Sequence, residues 1–430
     1  MRKILIIVVL TVHIVSLQAQ SIRDEIRRNI RCSAGNFMAY PGPVTHQQTL
    51  APQGKRPFYI SHYGSNGSSY HEVPATYELP YLIMQMADSL GKLTPLGRDV
   101  MQRLDLVRKD AYGRYGELTE LGAMQHRDIV RRMVEHFPDV FEGQTAVDAR
   151  CTEVPSCLLS MENAMVQLSL MRPELKLHHN STKRDYWYLD QQDSKLSAMR
   201  MDSLAKVRYD AFAHSHEICE RLMLSLFNDT AYVHHEVDAT LLTDCIFRVA
   251  GNIQNTEMRR QLTLYDLFTD DEVYSNWKRE NAARYITAGA SPLSGSVQPY
   301  SQRNLLRKLI VDADSCLQQQ RASIQLRYGQ QTVMSLACLL NLNGFGLVTD
   351  DLESLDRRGW ADYRISPMAS NIQFIFYRSS QHDPDIVFKV LLNENEATLP
   401  FKSDIAPYYH WNDFRRYFLQ KLNTYEKKKR

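Results

Sequence analysis

Residues 58–73 have the sequence FYISHYGSNGSSYHEV, and this stretch indicates the class of fold. Its apolar beginning is typical of a β-strand, and it continues into the small residues of 64–69, GSNGSS. Open α/β sheets present a binding or catalytic centre in such loops, at the carboxyl ends of their strands. Residues 64–69 contain no Arg, Lys, Asp, Glu or Cys. The loop therefore has the glycines of a catalytic loop without side chains suited to catalysis.

Strand and helix patterns alternate on both sides of a helical middle segment. The predicted strands are 57–61, 145–151, 322–329, 371–379 and 385–393, and the predicted helices are 118–137, 158–171, 304–318, 332–342 and the C-terminal segment from 409. Within the middle segment, the stretch LSAMRMDSLAKVRYDAFAHSHEICERLMLSLF has a helical period throughout. We predict a three-layer α/β core, formed by residues 21–190 and 305–430, and an inserted α-helical cap at 190–304.

The overall composition is that of an ordinary globular protein, and the first 20 residues have the pattern of an export signal. The chain has 430 residues, of which 44% are hydrophobic and 23% charged, and its net charge of +2 gives no reason to expect a nucleic-acid partner. Residues 1–20 begin with Arg2 and Lys3 and continue as an apolar run, which predicts a cleaved signal peptide and a secreted or periplasmic protein. An uncleaved anchor is the alternative, although the run is short for a bilayer span. No later segment is long and apolar enough for stable membrane insertion.

Cysteine and histidine patterns do not favour a metal site or a cofactor. The seven cysteines form no CxxC pair, and their odd number leaves at least one free thiol if no partner chain supplies another. One or two disulfides remain open. His214 and His216 lie two residues apart in a helical pattern, so their side chains point in different directions. We expect neither a metal nor a cofactor.

Four further segments carry a resemblance to a known family. They are LTELG at 118–122, VPSCLLSM at 154–161, SPMASNIQFIFYRS at 366–379 and DIAPYYHW at 404–411. Together with the loop they resemble the histidine acid phosphatases, in the branch of phytases and multiple inositol polyphosphate phosphatases, and in particular the versions from Bacteroidetes-type bacteria. The resemblance covers nearly the whole mature chain. It implies a three-layer histidine-phosphatase core with an α-helical cap.

The resemblance also implies where the catalytic groups of such an enzyme belong. These phosphatases carry RHGxRxP after the first strand, with a nucleophilic His and two phosphate-binding Arg, a third Arg at the start of a later helix, and an HD or HAE motif that supplies a second His and an acid. Here Gly67 is kept, but the chemical positions are all substituted: the three Arg fall on Ser65, Ser69 and Ser156, the nucleophilic His on Asn66, and the late His and acid on Gln330 and Gln331.

These replacements remove the chemistry that the family uses. The amide of Asn66 is not a nucleophile, because its nitrogen lone pair is delocalised. Serine hydroxyls do not replace guanidinium groups that bind oxyanions in a bidentate manner. Gln331 has no proton to give to a leaving group at a useful pKa. We therefore predict a catalytically inactive pseudo-phosphatase that binds a ligand or partner. The alternative is an active phosphomonoesterase that hydrolyses inositol polyphosphates or other phosphate esters with unexpected residues.

We expect the substituted positions to line one cleft beneath the cap and to bind a small polar or phosphorylated ligand. Their side chains are Ser65, Asn66, Ser69, Ser156, Gln330 and Gln331. Neutral donors and acceptors suit a sugar, a polyol or a protein loop better than a phosphate ester. His62 lies two residues before the loop and could be a displaced nucleophile, but a structural role is favoured.

Overall fold

The computed structural model describes residues 21–40, 48–189, 193–319, 323–330 and 333–429. The predicted signal peptide at 1–20 and the predicted site residue Gln331 lie outside these ranges. In the described part of the chain, no helix combines the length and the apolar character that a membrane span requires. All seven cysteines fall within the described ranges and are free thiols, so no disulfide joins them.

A mixed sheet of eight strands forms the centre of the protein. The strands are β1 (Arg56–Gly64), β2 (Ala146–Cys151), β3 (Lys176–Asn180), β4 (Ser323–Tyr328), β5 (Asn371–Arg378), β6 (Val387–Leu392), β7 (Asn395–Ala397) and β8 (Tyr409–His410). Their order in space is β3-β2-β4-β1-β5-β6-β7, with β8 paired to β6. Strands β1 to β4 run parallel to their neighbours in this group, whereas β5 is antiparallel to β1 and β6 to β5.

Helices make up most of the remaining described chain. They are α1 (Ile22–Arg28), α2 (Ala75–Ser89), α3 (Pro95–Ala111), α4 (Glu120–His136), α5 (Pro155–Met171), α6 (Lys183–Tyr186), α7 (Ser194–Met199), α8 (Ser203–Ser215), α9 (Glu220–Leu226), α10 (Thr230–Glu236), α11 (Ala239–Ile253), α12 (Asp270–Ala288), α13 (Arg303–Gln319), α14 (Val333–Leu340), α15 (Asp362–Ile365) and α16 (Trp411–Lys429). A 3₁₀ segment at Ile30–Phe37 follows α1.

The sheet is covered by helices on both faces. Tyr59 and Tyr63 of β1 belong to a hydrophobic cluster shared with α13, α14 and α16, whereas Ile60 belongs to a second cluster shared with α4 and α5. This alternation follows from the period of two along a strand. The predicted three-layer α/β core is therefore confirmed. Strand β1 extends three residues beyond its predicted end at 61, as far as Gly64.

A separate hydrophobic cluster of helices includes part of the segment that is predicted to form the cap. Its buried residues come from α9 and α11 of the segment 190–304, and also from α2 and α3. The stretch 196–227, which has a helical period throughout, is divided into α7, α8 and α9. The second of these begins where the Asp202 carboxylate accepts a hydrogen bond from the Ala205 N–H, as an N-cap does. The boundaries of the cap at 190–304 stay a prediction.

Candidate functional site

Three parallel strands end side by side at one edge of the sheet. Gly64, the last residue of β1, is in register with Tyr328, the last residue of β4, and Tyr328 is in register with Cys151 at the end of β2. The chain that follows these three strands carries residues 65–69, Gln330 and Ser156. Strand topology thus explains how positions as far apart in sequence as Ser65 and Gln330 come to the same edge.

The loop at 65–69 is held by close contact between two glycines. A Cβ placed on Gly67 would lie 2.6 Å from the carbonyl oxygen of Gly122, in the first turn of α4. The Gly67 N–H donates a hydrogen bond to Ser160 Oγ at 3.1 Å, and the Ser68 N–H donates one to Gln125 Oε1 at 2.9 Å. These backbone donors, which could otherwise hold an oxyanion, are occupied by protein acceptors.

A cavity of about 370 Å³ lies between this loop and the helices α11 and α12. Ser65, Asn66 and Ser69 form part of its wall. The Asn66 Nδ2 group donates to the Gly67 carbonyl at 3.1 Å and to Ser69 Oγ at 3.3 Å. Ser65 Oγ lies 3.0 Å from Ser370 Oγ. This wall of the cavity consists of neutral hydroxyl and amide groups.

Ser156 and Gln330, the other predicted site residues that the structure describes, are not part of the cavity wall. Ser156 is buried at the start of α5, where its carbonyl accepts a hydrogen bond from Ser160 Oγ at 2.7 Å. It supports the loop from behind, because Ser160 in turn accepts from the Gly67 N–H. Gln330 donates from Nε2 to the carboxylate of Glu72, which is a residue of the cavity wall.

Charged residues from distant parts of the chain form the opposite wall of the cavity, and the sequence did not point to them. Arg248 of α11 pairs with Glu280 of α12, with distances of 2.9 and 2.6 Å from its Nε and Nη2 atoms to Oε1. Arg284 lies one turn further along α12, and Asp362 opens α15. In sequence, Glu280 and Arg284 look like an ordinary surface pair at i and i+4. Only the fold reveals that they face a cavity.

The two carboxyl groups on this wall have pKa values displaced in opposite directions. Burial raises the pKa of Asp362 to about 6, although the Trp277 indole and the charge of Arg284 act against this effect. Burial would also raise the pKa of Glu280, but the guanidinium groups of Arg248 and Arg284 outweigh it and hold that pKa below its usual value. Near neutral pH, Glu280 is ionised, and Asp362 becomes protonated as the medium turns mildly acidic.

Two histidines near the loop are buried and uncharged near neutral pH. His62 does not line the cavity, its Nδ1 atom is buried without a hydrogen-bond partner among the described residues, and burial lowers its pKa to about 3. This arrangement favours the structural role. His71 lines the cavity and donates from Nε2 to the Arg248 carbonyl at 3.3 Å, and burial lowers its pKa to about 4.

The serines of the cavity and a nearby thiol are potential nucleophiles, and their reactivity depends on their hydrogen-bond partners and burial. None of the cavity-lining serines that the structure describes is hydrogen-bonded to a histidine. The thiol of Cys157 lies behind Asn66, and burial raises its pKa to about 12, which keeps it protonated. In the described ranges, no group of three or more His, Cys, Asp or Glu could hold a metal ion.

Comparison with solved structures identifies the fold. The chain superposes on the multiple inositol polyphosphate phosphatase of Bifidobacterium longum in complex with inositol hexasulfate with a TM-score of 0.74 and 14% sequence identity, over 88% of this chain and 96% of that one. It superposes on the phytase of D. castellii with a TM-score of 0.64 and 11% identity, over 91% and 85% of the two chains. The protein has the histidine acid phosphatase fold.

The resemblance inferred from sequence is thereby confirmed at the level of the fold. No protein-family model matches the sequence, and no curated protein matches it at the level of sequence. At identities of 11% and 14%, the superpositions establish a common architecture and leave the chemistry to be argued from this chain's own residues. Within the histidine acid phosphatase fold, this chain places Asn66 and neutral serines on the wall of the cavity.

Proposed function

We propose that this is an exported protein with the histidine acid phosphatase fold that has lost phosphatase chemistry and binds a small polar ligand in the cavity beneath its helical layer. One observation carries the proposal. Ser65, Asn66 and Ser69, the positions at which the resemblance implies two Arg and the nucleophilic His, are neutral residues on the cavity wall. Export is supported by the charged and apolar pattern of residues 1–20.

The energetics of phosphoryl transfer support inactivity. A covalent mechanism needs an activated nucleophile, and amides such as Asn66 do not form covalent phosphoryl intermediates. The charge that develops on the phosphoryl oxygens also needs preorganised positive groups. The remaining guanidinium groups in the cavity face carboxylates: Arg248 is paired with Glu280, and Arg284 lies near both Glu280 and Asp362. Each of these losses acts on the same transition state.

A phosphate-release assay tests the proposal. Purified mature protein is incubated with phytate and with p-nitrophenyl phosphate at acid and neutral pH, and released phosphate is measured across the monomer peak of a gel-filtration column. We expect no release above background, because removal of a nucleophile alone costs about 10⁴-fold or more in rate. The Asn66→Ala variant is the matched control, since it should be indistinguishable from the unmodified protein.

The alternative is an active phosphomonoesterase that uses other residues. It would be supported by turnover that follows the monomer peak and falls in a variant of a cavity residue, such as Asp362→Asn or His71→Gln. Such a result would contradict the proposed function. Background release that is equal in the unmodified and Asn66→Ala proteins, and unchanged in the other two variants, supports it.

A further inference from the structure

Two charged side chains of the cavity wall, Asp362 and Arg284, have hydrogen-bonding atoms without a partner among the described residues. Asp362 uses Oδ1 to accept hydrogen bonds from the Trp277 indole at 3.1 Å and from the Tyr363 N–H at 2.9 Å, while Oδ2 accepts none from the described residues. The side chain of Arg284 makes no hydrogen bond and no ion pair with any described residue, although its charge acts on both Asp362 and Glu280. Both residues line the cavity. An unpaired acceptor and an unpaired donor therefore face the same space.

The position of Asp362 is built into the fold. This residue is only 1% exposed, and its N–H donates to Asn281 Oδ1 at 2.9 Å. With Oδ1 fixed by two donors, the carboxylate has a single orientation, and Oδ2 is the oxygen that remains for a ligand. Because an ionised oxygen without a donor is costly in a buried place, a ligand that donates to it gains a charge-assisted hydrogen bond.

The charges of the cavity wall nearly cancel. Arg248 and Glu280 neutralise each other, and Glu72 accepts a hydrogen bond from Gln330 at the rim. What remains among the described lining residues is one cation, Arg284, and two carboxylates, Asp362 in the wall and Glu72 at the rim. A ligand with several negative charges would be attracted by Arg284 but repelled by the carboxylates around it. A cation would be attracted by the carboxylates and repelled by Arg284. A neutral group that both accepts and donates hydrogen bonds therefore matches Arg284 and Asp362 best.

The remainder of the cavity suits a ligand with many hydroxyl groups. Hydroxyl and amide side chains, from Ser33, Asn36, Ser65, Asn66, Ser69 and Ser366, line it together with the rings of Phe37 and Phe247. Hydroxyls can donate to and accept from these groups, while the C–H face of a ring can pack on an aromatic side chain. The cavity volume of about 370 Å³ lies in the range of about 300–1,000 Å³ that is usual for small-molecule sites.

We propose that the cavity binds a neutral polyhydroxylated ring, a cyclic polyol or a monosaccharide, with one hydroxyl donating to Asp362 Oδ2 and a hydroxyl oxygen accepting from Arg284. The inference rests on the proposed function, since it names the class of ligand for a site without phosphatase chemistry. It assigns the recognition to two residues, Asp362 and Arg284, that lie outside the substituted phosphatase positions.

The test compares ligands that differ only in charge. Calorimetry at neutral pH is carried out on the mature full chain with myo-inositol, glucose and mannose, with the monophosphate ester of glucose, and with its primary-amine analogue. We expect at least one neutral compound to bind. The charged derivatives should bind more weakly than that compound, by about 10-fold or by a larger factor. Failure of all three neutral compounds at about 50 mM, or tighter binding of a charged derivative, would overturn the inference; an affinity weaker than this limit would be worth less than about 2 kcal/mol.

Matched variants locate the bound compound. Asp362→Asn and Arg284→Gln should each weaken binding of the neutral compound about 10-fold to 100-fold, since each removes one charge-assisted hydrogen bond. Asp404→Asn and Arg260→Gln, which change exposed residues away from the cavity, should leave the affinity unchanged. Equal affinity in all four variants would overturn the inference and leave the proposed function standing, whereas phosphate turnover would overturn the proposed function itself.

Discussion

The carboxylate of Asp362 lies so close to the α-carbon of Gly35 that a Cβ at residue 35 would sit 2.2 Å from Oδ2. Gly35 also has a φ of 58° and a ψ of −127°, a backbone conformation that side chains other than glycine strongly disfavour. The 3₁₀ segment that contains Gly35 thus packs directly against the carboxylate that we assign to ligand binding.

We predict that Gly35→Ala lowers the free energy of unfolding by about 2–4 kcal/mol, because it combines backbone strain with a collision against a buried carboxylate. Urea denaturation measures the change. Gly91→Ala is the control: Gly91 has a similar φ of 67°, and nothing lies within 4 Å of its added Cβ. That variant should lose only about 1 kcal/mol. Equal losses in the two variants would show that the approach of Gly35 to Asp362 is unimportant.

The raised pKa of Asp362 predicts that its charge destabilises the folded protein. Its folded-state pKa of about 6 lies above the ordinary value of 3.8, so the folded state holds the proton more firmly than the unfolded state. The ionised carboxylate therefore lowers the free energy of unfolding above pH 6, and this penalty fades as the pH falls toward 3.8. A residue that costs stability while facing a cavity is typical of a binding site.

Asp362→Asn should accordingly stabilise the protein by about 1–3 kcal/mol at pH 8, since the amide keeps an oxygen for Trp277 and Tyr363 and loses the charge. The gain should shrink as the pH is lowered through 6, which thermal denaturation at several pH values would reveal. Asp404→Asn, whose side chain is 77% exposed, should show no such trend. A loss of stability in Asp362→Asn at pH 8 would contradict the assignment.

A pair of buried histidines beneath the loop predicts sensitivity to acid. The rings of His62 and His126 each pack on Tyr328, with centroids 5.2 and 5.4 Å from it. Burial lowers the pKa of both to about 3, and the charges of His126 and Arg327 act in the same direction on His62. Between the unfolded value of 6.5 and about 3, the unfolded state binds protons that the folded state does not. The free energy of unfolding must therefore fall as the pH is lowered through this window.

Each histidine contributes up to about 1.4 kcal/mol per pH unit within that window. His126→Leu removes one of the two titrating groups, so the decline of stability between pH 6.5 and 4 should become shallower by up to this amount per unit. Chemical denaturation at half-unit pH steps measures the slope. His214→Leu changes an exposed histidine and serves as the control, with an unchanged slope. An identical slope in the unmodified protein and His126→Leu would refute the explanation.

The sequence predicted the core strands of the sheet well and missed the edge strand β3 and the short strands β7 and β8. Strands β1, β5 and β6 are almost wholly buried and appear in the sequence as apolar runs between turn residues. Strand β3 is an edge strand with the sequence KLHHN, and none of its residues is fully buried. An exposed edge has no hydrophobic pattern, so its pairing with β2 depends on tertiary structure that a single sequence does not display.

The sequence predicted one part of the candidate site, the loop at 65–69, and did not predict the charged residues that the fold brings to the same cavity. Residues 65–69 lie next to a strand and within a recognisable motif, so their place at the strand edge could be inferred. Arg284 and Asp362 belong to different elements that meet only in the folded chain, and each is unremarkable in its own segment. Ser156 was placed on the cavity wall by resemblance alone, but its position in the first turn of α5 buries it behind the loop.

The neutral wall of the cavity predicts weak binding of phosphate. The unmodified protein should bind inorganic phosphate and inositol hexakisphosphate at least several thousand-fold more weakly than a site with three arginines, given about 1.5–3 kcal/mol for each charge-assisted hydrogen bond. Ser69→Arg, which adds one guanidinium to the cavity wall, should strengthen phosphate binding about 10-fold to 100-fold in calorimetry at low salt, with a gain that declines as salt is added. Ser69→Gln, a long but neutral side chain, should bring no gain and is the control. The opposite result would be tight phosphate binding by the unmodified protein that is lost in Asn66→Ala. It would show that the cavity still binds phosphate.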